Sequence, residues 1–140
     1  MPLDLPRTEA ELRQRRTDAL RRMRTAERIA YFQGAVVILL YLSLAQQSDW
    51  LSSAYYLMMG CGLPGLGWAV GRRHRADAAA VLVVIVLGII ILQFVAGAPT
   101  LSVLAAIFAW KYGQAFNAAR EYATLAGLQF ESAPPEQPGT

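Results

Sequence analysis

From Ala78 to Trp110 the chain runs 33 residues without one charged side chain. An uncharged apolar run beyond about 18 residues reads as membrane-spanning. A run this long with "GAPT" inside it reads as two spans joined by a turn, and Pro99 suits the first turn of the second. The remaining charges are segregated in the same way. Residues 1–28 hold eight arginines and five acids, a net charge of +3, whereas residues 29–71 hold only Asp49. The whole chain is 55% apolar and 16% charged, against roughly a quarter charged in soluble domains, so it lacks the residues for a polar skin.

The expected fold is therefore all-α: a polytopic membrane protein of four transmembrane helices preceded by an N-terminal cytoplasmic amphipathic helix. The spans fall at about residues 29–45, 50–71, 76–96 and 101–120, within one transmembrane domain over 29–125. Residues 126–140, rich in Pro, Glu and Gly, are expected to be a disordered cytoplasmic tail. In the basic helix, residues 1–28, Thr8 and Glu11 have the spacing of a capping box. Glu9–Arg13, Glu11–Arg15 and Asp18–Arg22 are acid-to-base pairs four residues apart. Leu12, Ala19, Met23, Ala26 and Ala30 follow a helical stripe that Arg16 interrupts. Such a helix either leads solvated into the membrane or lies on anionic lipid or a partner.

Orientation follows from the arginines. Four spans put the basic N-terminal segment, the Arg72, Arg73 and Arg75 loop, and Arg120 on one side. The positive-inside rule makes that side cytoplasmic. The expected location is a bacterial inner membrane, multi-pass, with both termini in the cytoplasm and anionic headgroups at the basic flanks. Trp50, Tyr55 and Tyr56 fit the outer interface and Trp68 the inner one.

The stretch "GCGLPGLGWAVGRRHR", residues 60–75, superficially suggests a phosphate-binding loop. A phosphate loop needs a preceding strand and a Lys-Ser/Thr pair, and neither is present. Within a span, glycines instead let helices approach closely. Gly67 and Gly71 make a G-x-x-x-G step, Cys61 and Gly65 a small-x-x-x-small step on another face, and Pro64 is expected to kink the helix. Gly60, Gly65, Gly67, Gly71 and Pro64 are thus the candidate packing residues.

The fourth span carries the candidate polar site. Counted from Arg120, Lys111 lies about 13–14 Å in, Gln114 about 9 Å and Asn117 about 5 Å. Gln33 in the first span lies about 7–8 Å from Arg28, so Gln33, Gln114 and Asn117 are expected to meet at one depth beside Lys111. Lys111 either has a function inside the membrane or snorkels to the headgroups. The three amides read as ligands or as interhelical glue. His74 reads as a solvated basic residue and Cys61 as a small packing residue.

Several chemistries lack their parts. One cysteine and one histidine leave no thiolate zinc site and little nucleophile–base chemistry. A proton-coupled exporter needs a titratable carboxylate, and no Asp or Glu lies in the apolar part of any span. The basic stretches carry no interleaved aromatics, so nucleic acid is not an expected partner. No metal, cofactor or catalytic residue is expected.

The stretches "GLPGLGWAVGRRHRADAAAVLVVIVLGII" and "AAIFAWKYGQAFNAAREYATL" resemble the last three helices of small uncharacterised bacterial four-helix membrane proteins. The resemblance covers about residues 60–125 and implies the fold without an activity. The expected function is a non-catalytic accessory, scaffolding or assembly subunit of a membrane complex, bound to another membrane protein or to itself through the glycine face of span two. The alternative is a small oligomeric transporter or channel built on the polar face of span four.

Overall fold

The structure, a computed structural model, describes residues 6–44, 49–95, 97 and 99–127. The expected tail lies almost wholly outside these residues. Four helices follow one another: α1 (Glu9–Leu44), α2 (Trp50–Arg73), α3 (Ala76–Val95) and α4 (Pro99–Ala126). There are no strands among the described residues. Each connection is short, so successive helices run antiparallel, as an up-and-down bundle requires. Around the ring α1 packs on α2 and α4, and α3 packs closely on α4 but only thinly on α2.

The basic helix and the first apolar segment form one unbroken helix of 36 residues, α1. Its start is held by the expected cap, with one shift. The Glu11 backbone N–H donates to Thr8 Oγ1 at 3.2 Å, while the Glu11 carboxylate accepts from the Arg7 N–H at 3.1 Å, one residue earlier than a capping box would place it. Glu9–Arg13 and Glu11–Arg15 pair at 2.6 and 2.8 Å. Leu12, Ala19, Met23, Ala26 and Ala30 are all buried. The polar half of α1 is therefore not a free amphipathic helix: its stripe extends the bundle core beyond the end of α2. At the break in the stripe, Arg16 Nη2 donates to the Leu125 carbonyl at 2.7 Å, near the end of α4. That carbonyl is one of the last four of a helix, which lack partners within it.

Helix α2 continues through Pro64 and stops at Arg73. His74 caps it in the left-handed region (φ 54°, ψ 35°) and its N–H bonds to the Ala69 carbonyl. Gly97 (φ 76°) makes the turn between α3 and α4, where its freedom at positive φ is needed.

The buried core sits toward the end that carries the arginines. There alanines bring the helices close: Ala26 and Ala30 on α1, Ala78 and Ala79 on α3, and Ala115, Ala118 and Ala119 on α4. Met23, Val70, Leu82 and Tyr112 fill the space between them and are fully buried. Toward the other end the packing opens. No described side chain is buried on α1 past Gly34, on α2 before Gly60, on α3 past Val86, or on α4 before Ala105.

The outer surface is divided along the same axis. Large apolar side chains are exposed over 31–42, 50–68, 81–95 and 103–110, and nowhere over 9–30 or 111–127. Two of the four helices, α1 and α3, are long and apolar enough to cross a membrane.

Candidate functional site

Three polar arrangements hold the bundle, and a cavity lies beyond them. The first is the α1–α2 crossing. Side chains at Gly34, Gly60, Gly67 and Gly71 would collide with the facing helix. A Cβ on Gly67 would lie 2.5 Å from Ala30 Cβ, and one on Gly34 would lie 2.8 Å from the Gly60 carbonyl oxygen. The Pro64 ring occupies the space over Gly34. Gly65 is different: a Cβ there meets nothing within 4 Å, and Cys61 is exposed. The Cys61–Gly65 step, expected to pack, faces outward, because it lies roughly 120° around α2 from the Gly60–Gly67–Gly71 stripe. The glycine face expected to receive a partner is occupied by α1 of the same chain.

Into this crossing projects Glu27, which the sequence places in the polar segment. It is 8% exposed. Its carboxylate occupies the space a side chain on Gly71 would need, with Cδ 2.6 Å from the position of that missing Cβ. The Tyr31 hydroxyl donates to Glu27 Oε1 at 2.8 Å, and Arg72 Nε stands 3.7 Å from the same oxygen. Burial of a carboxylate without such partners would be costly. The missing side chain of Gly71 supplies the room, and the hydroxyl and guanidinium supply the partners.

The second arrangement joins α1 to α4. The fully buried Tyr112 donates its hydroxyl to Gln33 Oε1. Gln33 thus meets Tyr112 in place of the residues expected at its depth. Lys111 and Gln114 are half-buried, Asn117 is exposed, and among the described residues none of the three is hydrogen-bonded to Gln33. Rotation about α4 is the reason. Successive residues differ by about 100° around a helix, so Tyr112 points inward where Lys111 points to the flank. Lys111 also follows Trp110 directly, the last large apolar residue exposed on α4.

The third lies at the arginine end. The His74 ring rests on Tyr122 of α4 at 4.6 Å between centres. His74 is half-buried, not fully solvated as its neighbours in sequence suggest. Arg72, Arg73, Arg75 and Arg120 are all exposed. The Arg73 guanidinium stands 4.9 Å from the Trp68 ring centre and Arg120 5.7 Å from that of Phe116. Arg75 Nε donates to Asp77 Oδ1 at 3.0 Å.

At the opposite end, where the packing opens, the four helices line an open-sided cavity of about 570 Å³. Its wall is mostly apolar, with Phe32, Met59, Leu63 and Phe108, and with Gln33 and Gln93 among the few polar side chains. Sequence reasoning missed both Glu27 and this cavity. The available signal for Glu27 was its four-residue spacing to Tyr31, on the side of α1 that Ala30 also faces. Among the described residues no three His, Cys, Asp or Glu side chains gather so as to hold a metal.

No family model matches the chain, and no curated protein or solved structure does either.

Proposed function

We propose that the chain is a four-span protein of a bacterial inner membrane, with both termini cytoplasmic, that acts as a non-catalytic accessory, scaffolding or assembly subunit of a membrane complex. The observation that carries this reading is the belt of outward-facing apolar side chains confined to one part of the bundle. On α2 the belt runs from Trp50 to Trp68, both exposed. Eighteen residues of helix rise about 27 Å, close to the roughly 30 Å of a hydrocarbon core. Aromatic residues at both ends of that span suit the two interfaces. The arginines then lie beyond the inner edge, where positive charge is retained.

A partner would meet the outward faces of the helices, since α1 already fills the glycine stripe of α2. The half-buried Lys111 sits at the inner edge of the belt, where an ammonium group reaches headgroups readily. This position favours an anchor over a transport route along α4.

A reporter active only in the cytoplasm, fused after Gln47, His74, Gly97 or Glu131, tests the topology. Signal is expected at the second and fourth sites, and strong signal at the first or third defeats the four-span reading. Recovery of a second membrane protein in mild detergent tests the accessory role. A homo-oligomer that moves solute by itself in liposomes would replace that role with transport.

A further inference from the structure

We propose that the cavity distant from the arginines binds one neutral, lipid-type molecule: an apolar chain bearing a carbonyl oxygen, which accepts a hydrogen bond from the Gln33 amide. The proposal rests on the membrane reading above. The volume of about 570 Å³ lies within the roughly 300–1,000 Å³ usual for small-molecule sites. All four helices contribute to the wall, and among the described residues no charged side chain does, which favours a neutral ligand group.

Gln33 makes the site more than a gap in the packing. Its Oε1 accepts from the Tyr112 hydroxyl, which fixes the amide plane. The side-chain nitrogen keeps two N–H donors, and among the described residues none is hydrogen-bonded. Gln33 lines an otherwise mostly apolar cavity, where an unmet donor is costly and a carbonyl oxygen meets it. A plain alkane would fill the volume and leave the donor unmet. Glycerolipid esters and prenylated quinones both join a carbonyl to an apolar chain. Entry from the bilayer is through the α2–α3 seam, the thinnest contact between neighbouring helices in the ring.

The test uses the full chain in nanodiscs of ether-linked phosphatidylcholine, which carries no ester carbonyl, with a diazirine-bearing long-chain fatty acid methyl ester, mapped by peptide mass spectrometry. Labelling is expected to concentrate on Met59, Leu63 and Phe108 and to exceed that of the outward-facing Phe94 and Val103. Ala105→Phe should abolish the cavity label by filling the site. Leu92→Trp, at a more exposed position of the wall, does the same without loading the buried core. Gln33→Leu should weaken competition by carbonyl-bearing ligands about tenfold while leaving a long-chain alkane unaffected. Competition by a monoacylglycerol or by a decyl quinone identifies the source. Failure of both to compete overturns the proposal, as does label spread evenly over the outer faces. Failure to enter nanodiscs would sink the membrane reading instead, whereas entry without cavity labelling sinks this proposal alone.

Discussion

Gly71→Ala is the sharpest probe of the bundle. The added Cβ would fall 2.6 Å from Glu27 Cδ and 2.8 Å from Glu27 Cβ, both far inside contact distance. Parting the helices instead would open the close contact one turn earlier, where a Cβ on Gly67 would lie 2.5 Å from Ala30 Cβ and no room is left between the helices. Glu27 must then leave its niche and give up the Tyr31 hydroxyl at 2.8 Å. A hydrogen bond to a charged group contributes about 1.5–3 kcal/mol, and overpacking a close contact costs about 1–3 kcal/mol. The two losses overlap, since movement of Glu27 relieves part of the clash, so about 2–4 kcal/mol is expected. In a Glu27→Ala background the clash with Cδ is gone and only that with Cβ remains, so Gly71→Ala should cost about 1 kcal/mol or more less than in wild type. Gly65→Ala is the control: its Cβ meets nothing within 4 Å, and helix propensity alone makes it neutral to about 1 kcal/mol stabilising. Thermal unfolding in mild detergent, followed by circular dichroism, reads all four variants. Equal melting of Gly71→Ala and wild type, or additivity with Glu27→Ala, would refute the reasoning.

Tyr112→Phe and Gln33→Leu should each destabilise by about 1–3 kcal/mol, and the double variant by less than their sum, in the same assay. Full additivity would mean that the two side chains do not interact. Lys111→Met should leave melting within about 0.5 kcal/mol of wild type and partner recovery unchanged, as for an anchor at the belt edge. A loss of recovery would show that the ammonium meets an acid on a partner. The Arg7 backbone N–H, and then the Arg15 guanidinium, hold the Glu11 carboxyl below its ordinary value of 4.5. The contribution of this cap is thus present above that value and lost as pH falls through the lowered one. Amide chemical shifts in micelles should show the first turn of α1 fraying on acidification, and Glu11→Gln should remove the pH dependence.

Local patterns made much of this architecture legible in the chain itself. The charge-free run from Ala78 to Trp110 and the turn at Gly97–Pro99 marked two helices, because charge and turn chemistry act over a few residues. The stripe Leu12, Ala19, Met23, Ala26 and Ala30 announced a buried face, since helical periodicity is carried by the sequence alone. What that face would bury against was not announced: it packs within the bundle as part of an uninterrupted α1. Gln33 was identifiable as polar at a given depth, and depth along an axis follows from counting residues. Its partner was not, because the rotation of α4 chose Tyr112 over Gln114 and Asn117. Glu27 shows the same limit most clearly. Composition assigns it to a solvated basic helix, and only the crossing of α1 over Gly71 buries it. Spacing along one helix determines which residues share a face. The crossing of two helices determines which side chain fills the space a glycine leaves, and that depends on residues some forty positions apart in the chain.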